Sequence, residues 1–215
     1  MKIKSFSSVV PLIFTITGYL LGGSFVVYLF YKLNTFEEKV MFLVMVSTYI
    51  LWSAWEVRIT LSELKKEDEK KDKSTLELAG IIKNFMLVGA LAASSSIHAV
   101  SWCVGYGLIC LGIILRAASI KAIGSAYSHR IRELVGKPIT TGPYKIIRHP
   151  SYMGTLIIHT GLVVVLFNTF SLIGLILWYL NAIYRIRVEE KQLFKNKYYA
   201  AYAKSTVYRL IPVIW

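Results

Sequence analysis

Two short polar clusters flank one apolar hairpin near the C-terminal end of the chain. The first, residues 142–154, has the sequence GPYKIIRHPSYMG, and the second, residues 185–190, has the sequence RIRVEE. Arg185 and Glu189 lie four residues apart, so on a helix both side chains share one face and can reach into one pocket. A Gly-Pro turn and a proline that can open the next helix make the first cluster a short, stiff loop. The two clusters therefore predict a polar site beside apolar helices.

The side chains of these clusters suit a zwitterionic or cationic cofactor that carries an adenosine group. Carboxylates such as Glu189 and Glu190 accept hydrogen bonds from ribose hydroxyls or an amino group, and amides at a helix N-terminus bind a carboxylate. Aromatic faces can stack on a base or lie against a sulfonium. Residues 105–107, Gly-Tyr-Gly, lie inside an apolar run with no following strand and helix, so a soluble dinucleotide-binding turn is excluded.

The segments that position these clusters are strongly apolar. The chain has 215 residues, of which 55% are hydrophobic and 17% are charged, and its mean hydropathy of +0.55 excludes an ordinary soluble domain. A membrane span needs about 20 apolar residues, and the absence of period-two alternation excludes a transmembrane β-barrel. We therefore predict an all-α integral membrane protein with about six transmembrane helices, at residues 9–31, 40–58, 81–98, 102–123, 151–167 and 169–187.

The distribution of Lys and Arg predicts the orientation of these spans, because cytoplasmic loops collect both residue types. With six spans, the outer loops hold only Lys32 and Lys39. The other cations outside the spans fall at the N-terminus, in residues 63–74 and 124–149, and after the last span, which all lie on one side. Both termini are therefore predicted to be cytoplasmic. The first apolar run is too long for a signal-peptide core and is predicted to remain as a helix.

The net charge of +13 lies beside the spans rather than in a free basic domain. Anionic lipid headgroups are therefore the predicted partner, and nucleic acid is not. Residues 63–73 mix both charge signs and are predicted to form a solvated linker or an extension of the second helix. Cys103 and Cys110 share one apolar helix without His or carboxylate at metal-ligand spacing, so both are predicted core residues, with no metal site.

Four ionisable residues lie within or at the ends of the predicted spans. Arg116 is about two turns from the end of the fourth span, where a charge needs a partner; it is predicted either to form a structural ion pair or to line the pocket. Lys83 lies near the cytoplasmic start of the third span and is predicted to snorkel. His98 and His159 have apolar surroundings and are predicted to be core residues.

Two segments are predicted to enclose the site. Residues 124–149 form a cofactor-binding loop that caps a pocket between the cytoplasmic ends of the last three spans. After the sixth span, residues 191–202 carry Tyr198, Tyr199 and Tyr202 among lysines, which predicts an amphipathic helix at the headgroup level. This C-terminal helix is expected to cover the site from the cytoplasmic side.

The combined motifs of this half of the chain resemble a known family. The patterns GPYxxxRHPxYxG, RxxxEExxL and YxxY, followed by Leu-Ile-Pro at residues 210–212, resemble the isoprenylcysteine carboxyl methyltransferase family, which is related to the phospholipid methyltransferases. The resemblance covers residues 115–212. We therefore divide the chain into N-terminal transmembrane helices with a charged loop, residues 1–114, and a methyltransferase core, residues 115–215.

The resemblance implies S-adenosylmethionine as the cofactor, held between the polar loop and the end of the last span. It implies catalytic roles for Arg185 and Glu189, with Arg185 orienting a substrate carboxylate, and it implies no metal. Carried over by position, the residues implied to bind the cofactor are Arg132, Lys137, Pro138, Ile139, Tyr144, His149, Pro150, Ser151, Tyr152, Glu189 and Glu190.

The expected reaction is methyl transfer to a lipophilic substrate that enters sideways from the bilayer. A carboxylate acceptor is already ionised at neutral pH, so methyl transfer needs alignment and exclusion of water, whereas a phospholipid amine would need a base, with Glu190 or His149 as candidates.

Three other interpretations remain open at this stage. They are a phospholipid or small-molecule N- or S-methyltransferase, an NADPH-dependent enzyme like the sterol reductases, and a non-catalytic scaffold. The sequence identifies neither the methyl acceptor nor the oligomeric state. We expect the cell membrane in a prokaryote and the endoplasmic reticulum in a eukaryote.

Overall fold

A computed structural model describes residues 6–63 and 75–215, and within these ranges all regular secondary structure is helical. Apart from Glu63, the predicted charged linker lies outside the described residues. Two 3-10 turns, Gly124–Ala126 and Gly142–Lys145, lie in the connection between α4 and α5. The helices are α1 (Phe6–Lys32), α2 (Phe36–Glu63), α3 (Thr75–Ala93), α4 (Ala99–Ile123), α5 (Pro150–Val165), α6 (Thr169–Leu193) and α7 (Lys197–Ser205).

Four segments of the described chain are long and apolar enough to cross a membrane. They are Phe36–Leu61, Thr75–Ala93, Ala99–Ala126 and Thr169–Leu193. Helix α5 is also apolar, but its 16 residues rise only about 24 Å. Many large apolar side chains on the helices are exposed, including Leu51, Ile114 and Leu180, as expected of surfaces that face lipid. The prediction of an all-α integral membrane protein is confirmed.

The closest helix pair is α4 with α5, and glycines make this contact possible. A Cβ atom added at Gly105 would lie 2.6 Å from the Gly161 carbonyl oxygen, and one added at Gly112 would lie 2.6 Å from the Gly154 carbonyl oxygen. Small residues at such positions let helix backbones approach closely in membranes. The Gly-Tyr-Gly of residues 105–107 therefore includes a packing residue, Gly105, in agreement with its exclusion as a nucleotide-binding turn.

One end of the helix bundle is closed by short connections, residues 33–35, 94–98 and 166–168, which we call the closed end. Glu38 accepts hydrogen bonds from the backbone N–H of Thr35 at 3.0 Å and, across the bundle, of Ile97 at 3.1 Å. Asn168 caps α6 by accepting from the Ser171 N–H at 3.0 Å and donates to the Ala90 carbonyl at 3.2 Å. Side chains thus satisfy backbone groups at this end.

The third helix ends earlier than predicted, at Ala93 instead of residue 98. The run of serines that follows explains this, because serine hydroxyls compete for backbone hydrogen bonds, and Ser94 Oγ donates to the Ala90 carbonyl at 2.6 Å. His98 consequently stands at the N-terminus of α4 and is exposed, so its prediction as a core residue is wrong. Cys103 is also exposed, so its core prediction is wrong as well.

The opposite end of the bundle, which we call the cavity end, carries the long connection between α4 and α5 and the helix α7. Below it, Leu156, Trp178 and Ile186 form an apolar cluster with Leu210 from the segment after α7. His159 is fully buried beside this cluster, with its ring centroid 5.6 Å from that of Trp178, which confirms its prediction as a core residue. Its Nε2 atom lies 3.4 Å from the Tyr49 hydroxyl. The C-terminal segment therefore folds back onto the membrane helices beside the site.

Candidate active site

A cavity of about 310 Å³ lies at the cavity end, a volume near the lower limit for small-molecule sites. Helices α3 to α6 form its walls, and the loop of residues 127–139 together with α7 closes it. Ten of the residues predicted for the site line this cavity: Arg132, Lys137, Pro138, Ile139, Tyr144, His149, Ser151, Tyr152, Arg185 and Glu189.

The two side chains predicted to share one helix face meet at a single tyrosine. Arg185 Nε donates to the Tyr152 hydroxyl at 2.9 Å, and this hydroxyl donates to Glu189 Oε2 at 2.8 Å. Arg185 is only 4% exposed, and its guanidinium also donates to Thr75 Oγ1 at 2.8 Å and to the His129 carbonyl. These contacts give the guanidinium one orientation in the cavity wall, which suits it to position an anionic group.

Glu190 and Pro150 stand outside the cavity lining, unlike the other predicted cofactor contacts. Pro150 opens α5 at its first position, where a proline costs no helix hydrogen bond. Glu190 is 5% exposed and pairs with Arg148 at 2.8 Å and with Arg209 at 2.7 Å. His149 Nε2 lies 3.3 Å from the same carboxylate. Glu190 therefore joins the polar loop to the C-terminal segment.

Arg148 completes this connection, because its guanidinium binds backbone oxygens as well as Glu190. It donates to the carbonyls of Thr206 at 2.8 Å and of Val207 at 2.7 Å. The backbone N–H groups of Arg148 and His149 donate to the carbonyls of Tyr208 and Arg209, both at 2.9 Å. Both residues of the Arg-His pair thus fasten the C-terminal segment, and both also line the cavity.

Arg116 forms an ion pair and also lines the cavity, so both outcomes predicted for it occur together. Its guanidinium binds Glu56 of α2, with Nη2 at 2.7 Å from Oε2, and donates through Nη1 to Ser151 Oγ at 2.7 Å. The Tyr127 hydroxyl lies 3.2 Å from the same Ser151 oxygen. Glu56 was missed by the sequence argument, although a lone carboxylate inside an apolar span is a recognisable signal.

A side chain at the start of α7 binds two carbonyls of the polar loop. Asn196 donates to the carbonyls of Leu134 at 3.0 Å and of Gly136 at 2.9 Å, while its oxygen caps α7 by accepting from the Tyr198 N–H at 2.9 Å. Gly136 has a φ of 82°, a conformation that favours glycine. Asn196 also interrupts the predicted amphipathic helix, so that α6 ends at Leu193 and α7 starts at Lys197.

Two groups of the loop and two of α7 are held neutral at pH 7. Burial lowers the pKa of His129 to about 4 despite the Glu56 carboxylate at 3.4 Å, and burial raises the pKa of Tyr127. Burial likewise raises the pKa of Tyr199 and raises that of Tyr202 to about 12. Tyr202 donates to the Tyr144 carbonyl at 2.6 Å. Helix α7 thus supplies neutral aromatic side chains to the cavity, beside which it was predicted to lie.

The deep part of the cavity, toward the middle of the helices, is lined by residues that the motifs do not include. Lys83 of α3 lies over the Trp178 ring, with Nζ 5.2 Å from the ring centroid, and both residues line the cavity together with Thr155. The sequence predicted that Lys83 snorkels toward the headgroups. The structure places it in the cavity lining instead, because Trp178 and the other walls enclose it.

Most residues that line the cavity belong to a segment of the chain that matches a known protein family. Residues 105–195 match the model of the isoprenylcysteine carboxyl methyltransferase family, which confirms the predicted resemblance. The chain is also similar to protein-S-isoprenylcysteine O-methyltransferase B of Arabidopsis thaliana, with 40% identity over 48% of this chain and 56% of the relative.

Two relatives from other lineages match over similar shares of their length. The protein-S-isoprenylcysteine O-methyltransferase of Dictyostelium discoideum is 32% identical over 53% of this chain and 50% of its own length. The protein-S-isoprenylcysteine O-methyltransferase of Schizosaccharomyces pombe is 35% identical over 46% of this chain and 44% of its own length. The chain thus spans about half the length of the curated relatives it matches.

Proposed function

We propose that this protein is an S-adenosylmethionine-dependent membrane methyltransferase that acts on a lipophilic, isoprenylcysteine-type carboxylate. The observation that carries this proposal is the chain of contacts from Arg185 through Tyr152 to Glu189. It lies in a cavity between membrane helices and a polar loop, within the segment that matches the methyltransferase family. A site at this level lets a lipid tail stay in hydrocarbon while its polar end reaches the cavity.

The donors and acceptors around the loop fit the proposed cofactor. Glu189 is the carboxylate suited to ribose hydroxyls, and Arg132 and Lys137 supply cations for a cofactor carboxylate. Tyr144 and Tyr199 are buried aromatic surfaces against which a base can stack. The bound cofactor supplies a methyl group on a sulfonium, for which the ionised acceptor is the nucleophile.

The residues of the chain then act by binding and orientation rather than by proton transfer. The carboxylate acceptor is ionised at pH 7, so Arg185 contributes by holding it in one geometry. Such alignment of two reactants can remove a large part of the activation free energy. His129 is neutral because of its low pKa, so it adds no charge to the cavity wall. Helix α7 and the loop exclude water, which strengthens the electrostatic contacts inside the cavity.

The proposed arrangement in the membrane has six spans, α1 to α6, with both termini cytoplasmic. The excess of Lys and Arg in residues 124–149 and after α6 supports a cytoplasmic position of the cavity end. Residues 115–215 form the methyltransferase core, to which the N-terminal helices add Glu56 and Lys83. The cell membrane is proposed for a prokaryotic source and the endoplasmic reticulum for a eukaryotic one.

Anionic lipid headgroups are proposed as partners at the outer face of α6. An apolar groove there is lined by Arg187 and Lys191, besides Arg209, which pairs with Glu190, and this combination suits a lipid phosphate beside acyl chains. Added anionic phospholipid should raise the unfolding temperature of the purified protein more than zwitterionic phospholipid does, and equal shifts would contradict the proposal. The groove is lined by Tyr184, Arg187, Val188, Glu190, Lys191, Phe194 and Arg209.

The deciding experiment is calorimetric binding of S-adenosylhomocysteine and of NADPH to the detergent-purified protein. We expect S-adenosylhomocysteine to bind and its affinity to fall about tenfold or more in Glu189→Ala, since a charged hydrogen-bond acceptor is lost. Lys121→Ala, an exposed α4 change outside the cavity, is the matched control. Binding of NADPH alone would support a reductase instead, and binding of neither compound would reject the methyltransferase proposal.

A further inference from the structure

The lining of the cavity includes more Lys and Arg side chains than carboxylates. Glu56 is engaged by Arg116, and Glu189 accepts from Tyr152. Over the described residues, no carboxylate lies within ion-pair distance of Lys83, and Glu56 acts on it only at longer range. The Lys83 ammonium lies 5.2 Å from the centroid of the Trp178 ring. An intramembrane cation of this kind is costly unless a negative group approaches it. The cavity is therefore electrostatically suited to an anion beside Lys83.

A second observation at the same place points to a bound acceptor group. Trp178 is 4% exposed, and its indole N–H finds no hydrogen-bond acceptor within the described part of the chain. Buried polar groups are normally satisfied, and an indole N–H can only donate. A ligand oxygen is the kind of partner that would satisfy this donor while it also neutralises Lys83.

Lys83 belongs to a helix wall of the cavity and not to the polar loop. It lies eight residues after the start of α3 at Thr75, which is about 12 Å along the helix. The groups suited to the cofactor, such as Arg132 and Lys137, belong instead to the polar loop that lines the same cavity. An acceptor that enters the cavity between the helices would therefore meet Lys83 on the α3 wall. It also lies outside residues 105–195, the segment that matches the family.

We propose that Lys83 is a specificity-determining residue that binds the acceptor carboxylate together with Arg185. It thereby selects an anionic acceptor over an amine or an amide of the same shape. Both cations line one cavity, and Arg185 is oriented by Tyr152 and Thr75. Lys83 acts by charge and hydrogen bonding. This inference rests on the proposed methyltransferase function.

The test compares an acid with its amide in the purified full chain. The probes are N-acetyl-S-farnesylcysteine and its carboxamide, measured as competing ligands in the presence of S-adenosylhomocysteine. We expect the wild-type protein to prefer the acid by about tenfold or more, the value of one charged hydrogen bond. In Lys83→Met this preference should fall to within about threefold, while Lys83→Arg should keep most of it.

Methylation kinetics provide a second readout that a purely structural role of Lys83 would not give. We expect the KM for the acid to rise about tenfold in Lys83→Met with a smaller change in kcat, because ground-state binding is lost. The affinity for S-adenosylhomocysteine should change less than about twofold, and Lys121→Met should behave as the wild type. An unchanged acid preference in Lys83→Met would overturn the inference.

The failure of this inference can be told apart from a failure of the proposed function. A wild-type protein that binds no S-adenosylhomocysteine would reject the function itself. A wild-type protein that binds it but does not discriminate between acid and amide would reject only the role of Lys83. If Lys83→Met does not fold, Lys83→Gln replaces it, and an unchanged acid preference in Lys83→Gln would overturn the inference.

Discussion

The two ends of the helix bundle use the same residue type in opposite ways. At the closed end, Asn168 caps α6 and donates to the Ala90 carbonyl of α3, so its polar atoms serve the packing of helices. At the cavity end, Asn196 caps α7 and donates to the carbonyls of Leu134 and Gly136, so the same chemistry holds a loop over a cavity.

The difference lies in how much polar surface each end leaves to a ligand. Short connections at the closed end let Glu38 and Asn168 satisfy neighbouring backbone groups directly. The long connection at the cavity end instead forms a wall, and charged side chains such as Lys83 and Arg185 line the space behind it. Satisfied polar groups stabilise a fold, whereas polar groups aimed at a cavity prepare a site.

The largest effect is expected from removing the buried partner of Arg116. In Glu56→Ala the guanidinium, 8% exposed, loses its carboxylate, which should lower the free energy of unfolding by about 3–5 kcal/mol. Unfolding in mixed detergent micelles would measure this. The double variant Glu56→Gln with Arg116→Met should recover part of the loss, because it leaves no unpaired charge. A loss below about 1 kcal/mol would show that solvent, rather than Glu56, balances Arg116.

Acid should destabilise the cavity end through His129. The unfolded chain binds a proton at a histidine below about pH 6.5, whereas burial delays this in the folded protein to about pH 4. The stability linked to the neutral imidazole is therefore complete above pH 6.5 and is lost as the pH falls toward 4, by up to about 3 kcal/mol. The free energy of unfolding, measured across this pH range, should decline less steeply in His129→Gln than in the wild type. Parallel declines in the two proteins would count against a role of His129.

Arg185→Ala should lower kcat/KM for an isoprenylcysteine acid by about a hundredfold or more, since a misplaced acceptor loses the aligned geometry. The kcat/KM of Arg185→Lys should lie between those of the wild type and of Arg185→Ala, because a lysine keeps the charge but not the fixed fork of donors. Transfer of a radiolabelled methyl group measures the rates, and the exposed Lys195→Ala serves as the control. Equal rates for Arg185→Ala and Lys195→Ala would remove Arg185 from the mechanism.

The smallest effects come from the two asparagine caps, and they compare the two ends directly. Asn168→Ala and Asn196→Ala should each lower the free energy of unfolding by about 1 kcal/mol, the usual value of an N-cap. Only Asn196→Ala should also weaken S-adenosylhomocysteine binding, because it alone releases the loop carbonyls. Calorimetry of both variants gives the answer, and equal affinities would mean that the loop is held without Asn196.

Much of the candidate site could be predicted from linear motifs. The spacing of Arg185 and Glu189 placed them on one helix face, and both line the cavity with Tyr152 and Ser151. The spacing could not show that Glu190 turns away toward Arg148 and Arg209. Successive helix residues point about 100° apart, so two adjacent carboxylates serve different surfaces, and only packed neighbours decide which surface each one meets.

By itself the sequence determined the membrane setting and the helical fold class, because long apolar runs must satisfy their backbone hydrogen bonds internally in lipid. Its motifs also indicated the segment that matches the methyltransferase family. The tertiary structure alone decided which side chains from distant helices meet: Glu56 of α2 with Arg116 of α4, and Lys83 of α3 with Trp178 of α6. Hydrophobicity and short-range spacing specify which segments become helices. The rotation of each helix about its axis follows only from close packing, such as that of Gly105 on α5.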